Sequence, residues 1–392
     1  MQLGHARRPW RYSLLAIFAL FLFTRALTLM AFPIFNDEAI YIRYAQLIHE
    51  NWSANKFVSM NNSWSDWKPP LQYWLAAPFV GWGRDPLFAA RVVALVVSTF
   101  GLGGFYLFAR ELFDAPTGKI TALLYVLCPT VLLHNNEFTA ETFLFSTTPF
   151  VYWSLLRAMQ AERSRWLWLL LALPLAIALL LLKQSGLLLL GLALFLPLAR
   201  LQFDPPLRGE SMSRTLGTNI LMVAGVLVVA HLITRGILPP EFNPTKEQFN
   251  RRWVLSAGEL LATPVDLWRA NLRVVADFIN SYYSVFVPVL FGVFVHHTWQ
   301  RKSAPDAVLA LMCLCGGAAI AFLLRGFNEY LFKMRSSFRC SRFSRGRCCF
   351  SAGPRTMAEA NGSVAGSSAS RHSPFSIGAM KSGSWPFLPG DL

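Results

Sequence analysis

The chain has 392 residues, of which 54% are hydrophobic and only 15% are Asp, Glu, Lys or Arg. A soluble domain has about a quarter charged residues, so this balance excludes an ordinary soluble protein and indicates one that crosses a membrane several times. The formal net charge of +15 does not indicate nucleic-acid binding, because the cations lie in short loops between apolar segments. The six cysteines show neither the spacing of a zinc site nor a disulfide framework.

Nine apolar segments approach the length that a membrane-spanning helix needs, which is roughly 17–25 residues. The first follows Arg7, Arg8 and Arg11, and its length predicts an uncleaved anchor with its N-terminus in the cytoplasm. The predicted helices lie near residues 14–35, 87–109, 119–134, 138–156, 166–182, 185–199, 217–238, 280–297 and 307–324. The fold class is therefore an all-α polytopic membrane protein.

The basic residues in the short loops predict how these helices are oriented. The cytoplasmic loops are then 110–119, 157–165, 200–214 and 296–302. The opposite side receives the two long connections, 36–86 and 239–279. Apolar residues at helical spacing in both connections predict amphipathic helices lying on the outer surface.

The sequence changes character near residue 334. Residues 1–333 form the predicted transmembrane module, whereas residues 334–392 are rich in Ser, Gly, Arg and Cys and have no apolar period. Two interpretations remain open: a disordered tail, or a reading-frame shift after about Lys333. The coding DNA around Lys333 distinguishes them, because a corrected frame would restore apolar spans if the tail were an artefact.

A pair of acids stands where the first apolar segment stops. Asp37 and Glu38 follow Asn36 and would occupy the first turn of a helix, where the helix dipole stabilises acids whatever their role. Charged groups are costly in hydrocarbon, so their position at the bilayer edge also favours a function. Such a carboxylate could accept the proton of an attacking hydroxyl or hold a metal ion.

Lys68 comes directly before two prolines, which stiffen the backbone that presents it, and Pro70 can start a helix at Leu71. A fixed ammonium group beside a membrane suits the binding of a phosphate headgroup, although a lysine snorkelling at the interface has the same pattern. The nearby Trp67 and Tyr73 could stack on a sugar or belong to the interfacial aromatic belt.

Other candidates follow at the predicted outer face. Glu141 lies one turn inside the predicted membrane edge, where an unpaired acid is costly. Lys183, in the turn between two leucine-rich helices, could bind a phosphate or snorkel. Arg269 and Arg273 are four residues apart and could bind phosphate or anionic lipid heads. His134 together with the nearby acids leaves a divalent cation open, although the spacing is loose.

Taken in order, these segments resemble the protein O-mannosyltransferase superfamily, and especially its bacterial branch containing 4-amino-4-deoxy-L-arabinose transferase. The resemblance covers roughly residues 10–330. It is carried by Asn36-Asp37-Glu38, Lys68-Pro69-Pro70-Leu71-Gln72-Tyr73-Trp74, Phe138-Thr139-Ala140-Glu141 and Leu182-Lys183-Gln184-Ser185-Gly186. It implies a GT-C fold with its active site at the outer face and a polyprenyl-phosphate sugar as donor.

The resemblance also implies residue roles, to which we add the candidates above. The predicted catalytic residues are Asp37, Glu38 and Glu141. The predicted donor-phosphate ligands are Lys68, Lys183, Arg269 and Arg273. The predicted sugar or acceptor contacts are Tyr41, Trp67 and Tyr73. No residue is assigned to a metal, and a divalent cation stays an open cofactor.

These expectations describe an inverting glycosyltransferase that uses a polyprenyl-phosphate sugar and a lipid, glycan or protein acceptor. Its expected location is a bacterial inner membrane, with the active site facing the periplasm or exterior, membrane lipids as partners and no nucleic acid. The alternative is a non-catalytic transporter or flippase for a lipid-linked sugar, which would show internal repeats and polar groups at mid-membrane. A receptor or assembly subunit without catalysis is a further alternative.

Overall fold

The computed structural model describes residues 9–34, 36–57, 68–83, 85–161, 163–203, 212–240, 254–262, 264–283, 286–301 and 303–323. All of these residues lie in the first of two units into which the chain divides, Met1–Arg339. Trp67 and the tail of residues 334–392 lie outside the described residues, so what we expected of them stays a prediction.

Regular structure within these ranges is helical, as predicted. The helices are α1 (Pro9–Thr28), α2 (Asn36–Glu50), α3 (Trp52–Asn55), α4 (Leu71–Val80), α5 (Pro86–Leu112), α6 (Ala115–Leu127), α7 (Pro129–Asn135), α8 (Ala140–Gln160), α9 (Arg165–Leu182), α10 (Gly186–Leu192), α11 (Leu196–Phe203), α12 (Met212–Ile237), α13 (Ala257–Leu261), α14 (Val265–Tyr283), α15 (Phe286–Arg301) and α16 (Ala304–Leu323). A 3-10 turn, Ala193–Phe195, joins α10 to α11.

Four described helices are long and apolar enough to cross a membrane: α5, α9, most of α12 and α16. Shorter apolar segments cover Ser13–Thr28 and Gly186–Ala199. The chain is therefore an integral membrane protein, as predicted, but the count of nine spans is not confirmed. One predicted span, 119–134, is divided between α6 and α7 at Pro129, because proline lacks the N–H that would continue the helix.

The most extensive helix packing is between α5 and α8, followed by that between α8 and α9. Two glycines of α5 allow the close approach. A Cβ on Gly104 would lie 2.8 Å from the Phe150 ring of α8, and a Cβ on Gly101 would lie 2.7 Å from Ser146. Small residues are common where membrane helices pack because they let the two backbones approach.

The first long connection contains the helix that was predicted to start at the acid pair. This helix, α2, begins at Asn36, and its apolar side packs against α4. Tyr44 and Ile48 are only 3% and 1% exposed, while Arg43 on the polar side is exposed. The contact brings the first turn of α2 beside the N-terminal end of α4.

The second long connection contains α14, whose sequence is strongly amphipathic, as expected. Two side chains join this helix to the C-terminal end of α16. Trp268 Nε1 donates to the carbonyl of Phe322 at 3.1 Å, and Asn271 Nδ2 donates to the carbonyl of Ala321 at 3.0 Å.

Candidate active site

Asp37, Tyr41 and Lys68 form one connected group. Asp37 lies in the first turn of α2, and Tyr41 follows one turn later on the same face. The Tyr41 hydroxyl donates to Asp37 Oδ2 at 3.5 Å and accepts from Lys68 Nζ at 3.2 Å. The ammonium also lies 4.7 Å from the centroid of the Tyr41 ring, within the range of a cation–π contact. A tyrosine thus bridges the predicted catalytic carboxylate and the predicted phosphate ligand.

The two prolines after Lys68 determine where α4 begins. Pro69 and Pro70 are buried, and the helix starts at Leu71, as the sequence predicted. Proline fits the start of a helix because its missing N–H is not needed there. Lys68 is half-buried directly before this fixed pair, which holds its backbone in place relative to α4.

Glu141 and Lys183 form a second group. Glu141 lies in the first turn of α8, and Lys183 is the residue at which α9 ends. Lys183 Nζ donates to Glu141 Oε1 in a direct ion pair. The Lys183 side chain is 34% exposed and the Glu141 side chain is 41% exposed, so the pair is partly open to solvent. Each charge suits its helix end, an acid at an N-terminus and a cation at a C-terminus.

Tyr73 packs against the first of these two groups. It is 3% exposed, and its ring centroid lies 5.6 Å from that of Tyr41 and 5.2 Å from that of Tyr44. Burial raises the pKa of Tyr73 well above its ordinary value, and the charges of Tyr44, Asp37 and Glu141 raise it further. The phenol therefore stays protonated at neutral pH. The residue before it, Gln72, donates to the carbonyl of Phe138 at 2.9 Å, which places this end of α4 beside the segment that leads to Glu141.

Glu38 is in a different environment from its neighbour Asp37. It is fully buried and forms a bidentate pair with Arg91, with Nε–Oε1 at 2.9 Å and Nη2–Oε2 at 2.8 Å. Its Oε1 also accepts the backbone N–H of Phe138 at 2.9 Å. Both carboxylate oxygens of Glu38 are thus bound by Arg91, and the side chain is closed to solvent, so neither oxygen is open to a substrate. This geometry favours a structural role for Glu38 over the catalytic one that we predicted.

Sequence reasoning missed Arg91, which lies inside the predicted span 87–109. Its guanidinium also donates to the carbonyls of Leu29 and Phe32, both at 3.0 Å, and of Pro33 at 3.2 Å. A signal was present, because a charged residue within an apolar span is costly and usually has a partner. The sequence could not say that the partner is Glu38.

His134 lies in the last turn of α7, and Glu137 lies in the turn between α7 and α8. His134 Nδ1 is 3.3 Å from Glu137 Oε2, and Thr142 Oγ1 donates to the carbonyls of both residues. Within the part of the chain that the structure describes, no group of three or more His, Cys, Asp or Glu could hold a metal ion. The divalent cation that we left open therefore has no support from the described residues.

Arg269 and Arg273 lie on the exposed face of α14. Arg269 Nη1 is 3.7 Å from Asp266 Oδ1 of the same helix. Among the described residues, neither arginine forms an ion pair with Asp37 or Glu141, because α14 packs against α15 and α16 rather than against α2, α4 or α8. Trp67, the last predicted sugar contact, lies outside the described residues.

Residues 67–233 match the family model described as dolichyl-phosphate-mannose-protein mannosyltransferase, which is less than half of the chain. This match confirms the predicted resemblance to the protein O-mannosyltransferase superfamily. No curated protein sequence matches the chain significantly.

Solved structures provide the comparison of folds. The apo oligosaccharyltransferase of Archaeoglobus fulgidus superimposes with a TM-score of 0.53 at 12% identity, covering 86% of this chain and 52% of that one. The same archaeal enzyme, AglB, with an inhibitory peptide and a dolichol-phosphate gives a TM-score of 0.53 at 12% identity, covering 88% and 53%. ArnT from Cupriavidus metallidurans bound to undecaprenyl phosphate gives 0.46 at 16% identity, covering 86% and 64%, which is too low an overlap to establish a shared fold.

The chain has the GT-C fold of membrane glycosyltransferases, as predicted. It spans about half the length of the archaeal oligosaccharyltransferase chains that it matches, 52% and 53%.

Proposed function

We propose that this chain is an inverting glycosyltransferase that takes its sugar from a polyprenyl-phosphate donor. The observation that carries the proposal is that two pairs of charged residues from four separate segments, Asp37 with Lys68 and Glu141 with Lys183, are linked through the backbone of Phe138. Its N–H is bound by Glu38, next to Asp37, and its carbonyl is bound by Gln72, shortly after Lys68. The matching family model is named for a dolichyl-phosphate sugar donor, and AglB was solved with a dolichol-phosphate. Both names describe the donor chemistry that the two lysines suit.

Lys68 and Lys183 are the proposed ligands of the donor phosphate. The polyprenyl phosphate leaves as a phosphomonoester, whose negative charge increases as its bond to the sugar breaks. Fixed cations beside the leaving oxygen stabilise this charge, because they need no reorganisation during the reaction. Both lysines also have a local partner that holds them before a donor arrives, Tyr41 for Lys68 and Glu141 for Lys183.

Asp37 is the proposed catalytic carboxylate. The acceptor hydroxyl attacks the anomeric carbon from the side opposite the phosphate, so one displacement inverts the configuration. The bond from that carbon to the phosphate oxygen breaks, its electron pair stays on the phosphate, and the hydroxyl proton passes to Asp37. If the acceptor is itself a phosphate, little base strength is needed and Asp37 mainly positions it. In this mechanism, Glu141 holds the ammonium group of Lys183 in place and is not a second base.

The acceptor is a lipid, glycan or protein at the outer face of the membrane, and Tyr41 and Tyr73 are its proposed contacts beside Asp37. A bacterial inner membrane with the site facing the periplasm or exterior is the proposed location. The assignment of Arg269 and Arg273 to the donor phosphate is weaker, since α14 packs against α15 and α16.

The test is sugar transfer by the purified full-length chain, with labelled polyprenyl-phosphate sugars and membrane extract as the source of acceptors. Asp37→Asn should lower turnover by about 10²–10⁴-fold, the usual contribution of a general base, while binding of polyprenyl phosphate persists. The matched control is Asp114→Asn, because Asp114 caps the N-terminus of α6 and asparagine caps equally well.

Undiminished transfer by the Asp37→Asn variant would show that this carboxylate is not catalytic. Movement of the lipid-linked sugar across the bilayer without any transfer would instead favour the transporter alternative.

A further inference from the structure

We propose that Glu38, Gln72 and Arg91 are positioning residues. Glu38 and Gln72 hold the backbone N–H and carbonyl of Phe138, and Arg91 holds Glu38. Together they set the placement of Asp37, Lys68 and Glu141 relative to one another. This inference rests on the proposed function, because the placement matters for the transfer reaction.

Three segments meet at the backbone of Phe138. Its N–H donates to Glu38 Oε1 at 2.9 Å, and its carbonyl accepts from Gln72 Nε2 at 2.9 Å. Phe138, Glu38 and Gln72 are each 0% exposed. A directional hydrogen bond in a buried site is stronger than one in water, so these bonds fix the distances between their elements.

Each residue of this network is close in sequence to a residue of the candidate active site. Glu38 is the neighbour of Asp37 on α2. Gln72 is the second residue of α4 and follows Lys68 by four positions, across the two rigid prolines. Phe138 comes three residues before Glu141, at the point where α8 is about to begin. A shift of the Phe138 peptide therefore changes how the carboxylate of α8 stands relative to the groups on α2 and α4.

Arg91 extends the network to the end of α1. Besides both oxygens of Glu38, its guanidinium binds the carbonyls of Leu29, Phe32 and Pro33. The chain that enters α2 is therefore fixed to α5. Arg91 is 0% exposed, so solvent does not weaken these contacts.

The network is poorly explained by stability alone. A buried ion pair is often no more stabilising than an apolar group of the same volume, because both charges lose their hydration. Gln72 also contributes less to stability than a fully bonded side chain would, since its buried Oε1 has no hydrogen-bond partner among the described residues. The hydrogen bond from its Nε2 to the carbonyl of Phe138 is the contact through which Gln72 can position the segment before α8. We therefore infer that the network serves to place Asp37, Lys68 and Glu141 relative to one another.

The experiment uses the full-length chain with Gln72→Met, which keeps the length of the side chain, removes the donor and buries no charge. We expect turnover per folded molecule to fall by about 10–100-fold, the effect of a displacement of about 1 Å near a reacting centre. We also expect faster amide hydrogen exchange in residues 136–141. The matched control is Gln300→Met on exposed α15, which loses a hydrogen bond to His296 and should change neither quantity.

A second variant, Glu38→Gln, separates positioning from catalysis. A positioning role predicts lower turnover with an unchanged shape of the profile of turnover against pH, because Asp37 is still the base. A catalytic role for Glu38 predicts that the profile loses an inflection, and that result would overturn the inference.

The remaining outcomes are also decisive. A lower unfolding temperature of Gln72→Met with normal turnover and normal exchange at residues 136–141 would show that the network is only structural. If the wild-type chain transfers no sugar from any donor, the proposed function fails. The exchange of residues 136–141 then decides whether the Phe138 peptide is held as we infer.

Discussion

Asp37 and Glu38 are adjacent in the sequence, but the structure gives them different surroundings. Asp37 is partly exposed and is reached by the Tyr41 hydroxyl, whereas Glu38 is buried against Arg91. The sequence could predict that this acid pair matters, because charge at a membrane boundary is costly. It could not predict which acid is structural, because that depends on an arginine 53 residues away.

The structure also gives Glu141 a partner that the sequence spacing could not predict. Its ion pair with Lys183 means that a donor phosphate must compete with this carboxylate for the lysine. A partly exposed pair contributes about 0–1 kcal/mol. We therefore predict that Glu141→Gln binds polyprenyl monophosphate up to about fivefold more tightly, as measured by titration of the purified protein.

The matched control for this change is Glu137→Gln, since Glu137 pairs with His134 and not with a lysine. Its affinity for polyprenyl monophosphate should equal that of the wild type. Weaker binding by Glu141→Gln would mean that Glu141 contacts the donor itself.

At the scale of elements, the turns were the most predictable part of the site. The Lys-Pro-Pro motif correctly predicted that a helix starts at Leu71, because proline geometry is local. The packing partner of α2 was less predictable, because an apolar helix face has the same pattern whether it meets lipid or another helix. The sequence therefore could not predict the contact between α2 and α4, which the structure shows.

The turn that carries Lys183 requires a residue without a side chain at Gly186. A Cβ on Gly186 would lie 2.4 Å from the carbonyl oxygen of Leu179 and 2.8 Å from its carbon, both backbone atoms of the last turn of α9. Gly186→Ala must therefore shift the turn. We predict weaker binding of polyprenyl monophosphate, by about tenfold, and a lower unfolding temperature.

Gly191 provides the matched control, because it lies in α10 and a Cβ there would meet nothing within 4 Å. Gly191→Ala should preserve binding and stabilise the helix by about 1 kcal/mol. Equal binding by both variants would show that the position of the Lys183 turn is unimportant for the donor.

At the scale of the whole molecule, the membrane class and the GT-C fold could be predicted because they depend on composition and on the order of motifs. Helix bounds and the number of spans could not be predicted, since prolines interrupt helices and some apolar segments are shorter than the usual length of a membrane-spanning helix. The tail after residue 333 stays a prediction, to be decided by the coding DNA.

The predicted orientation can be measured by labelling single cysteines in intact cells, in a background from which the six native cysteines have been removed. Glu50→Cys, at the exposed end of α2, should react with a membrane-impermeant maleimide. Arg163→Cys, in the loop between α8 and α9, should react only after the membrane is permeabilised. The reverse pattern would place the candidate active site in the cytoplasm.

The most direct test of the account is a double-mutant cycle on the affinity for polyprenyl monophosphate. Lys68→Met and Lys183→Met remove two cations that are far apart in the sequence and that we assign to one phosphate. We predict that each variant weakens binding by about tenfold or more, as expected for a charged hydrogen bond worth about 1.5–3 kcal/mol, with an interaction energy above about 0.5 kcal/mol between them. Unchanged affinity in either variant, or effects that simply add, would contradict a shared phosphate site.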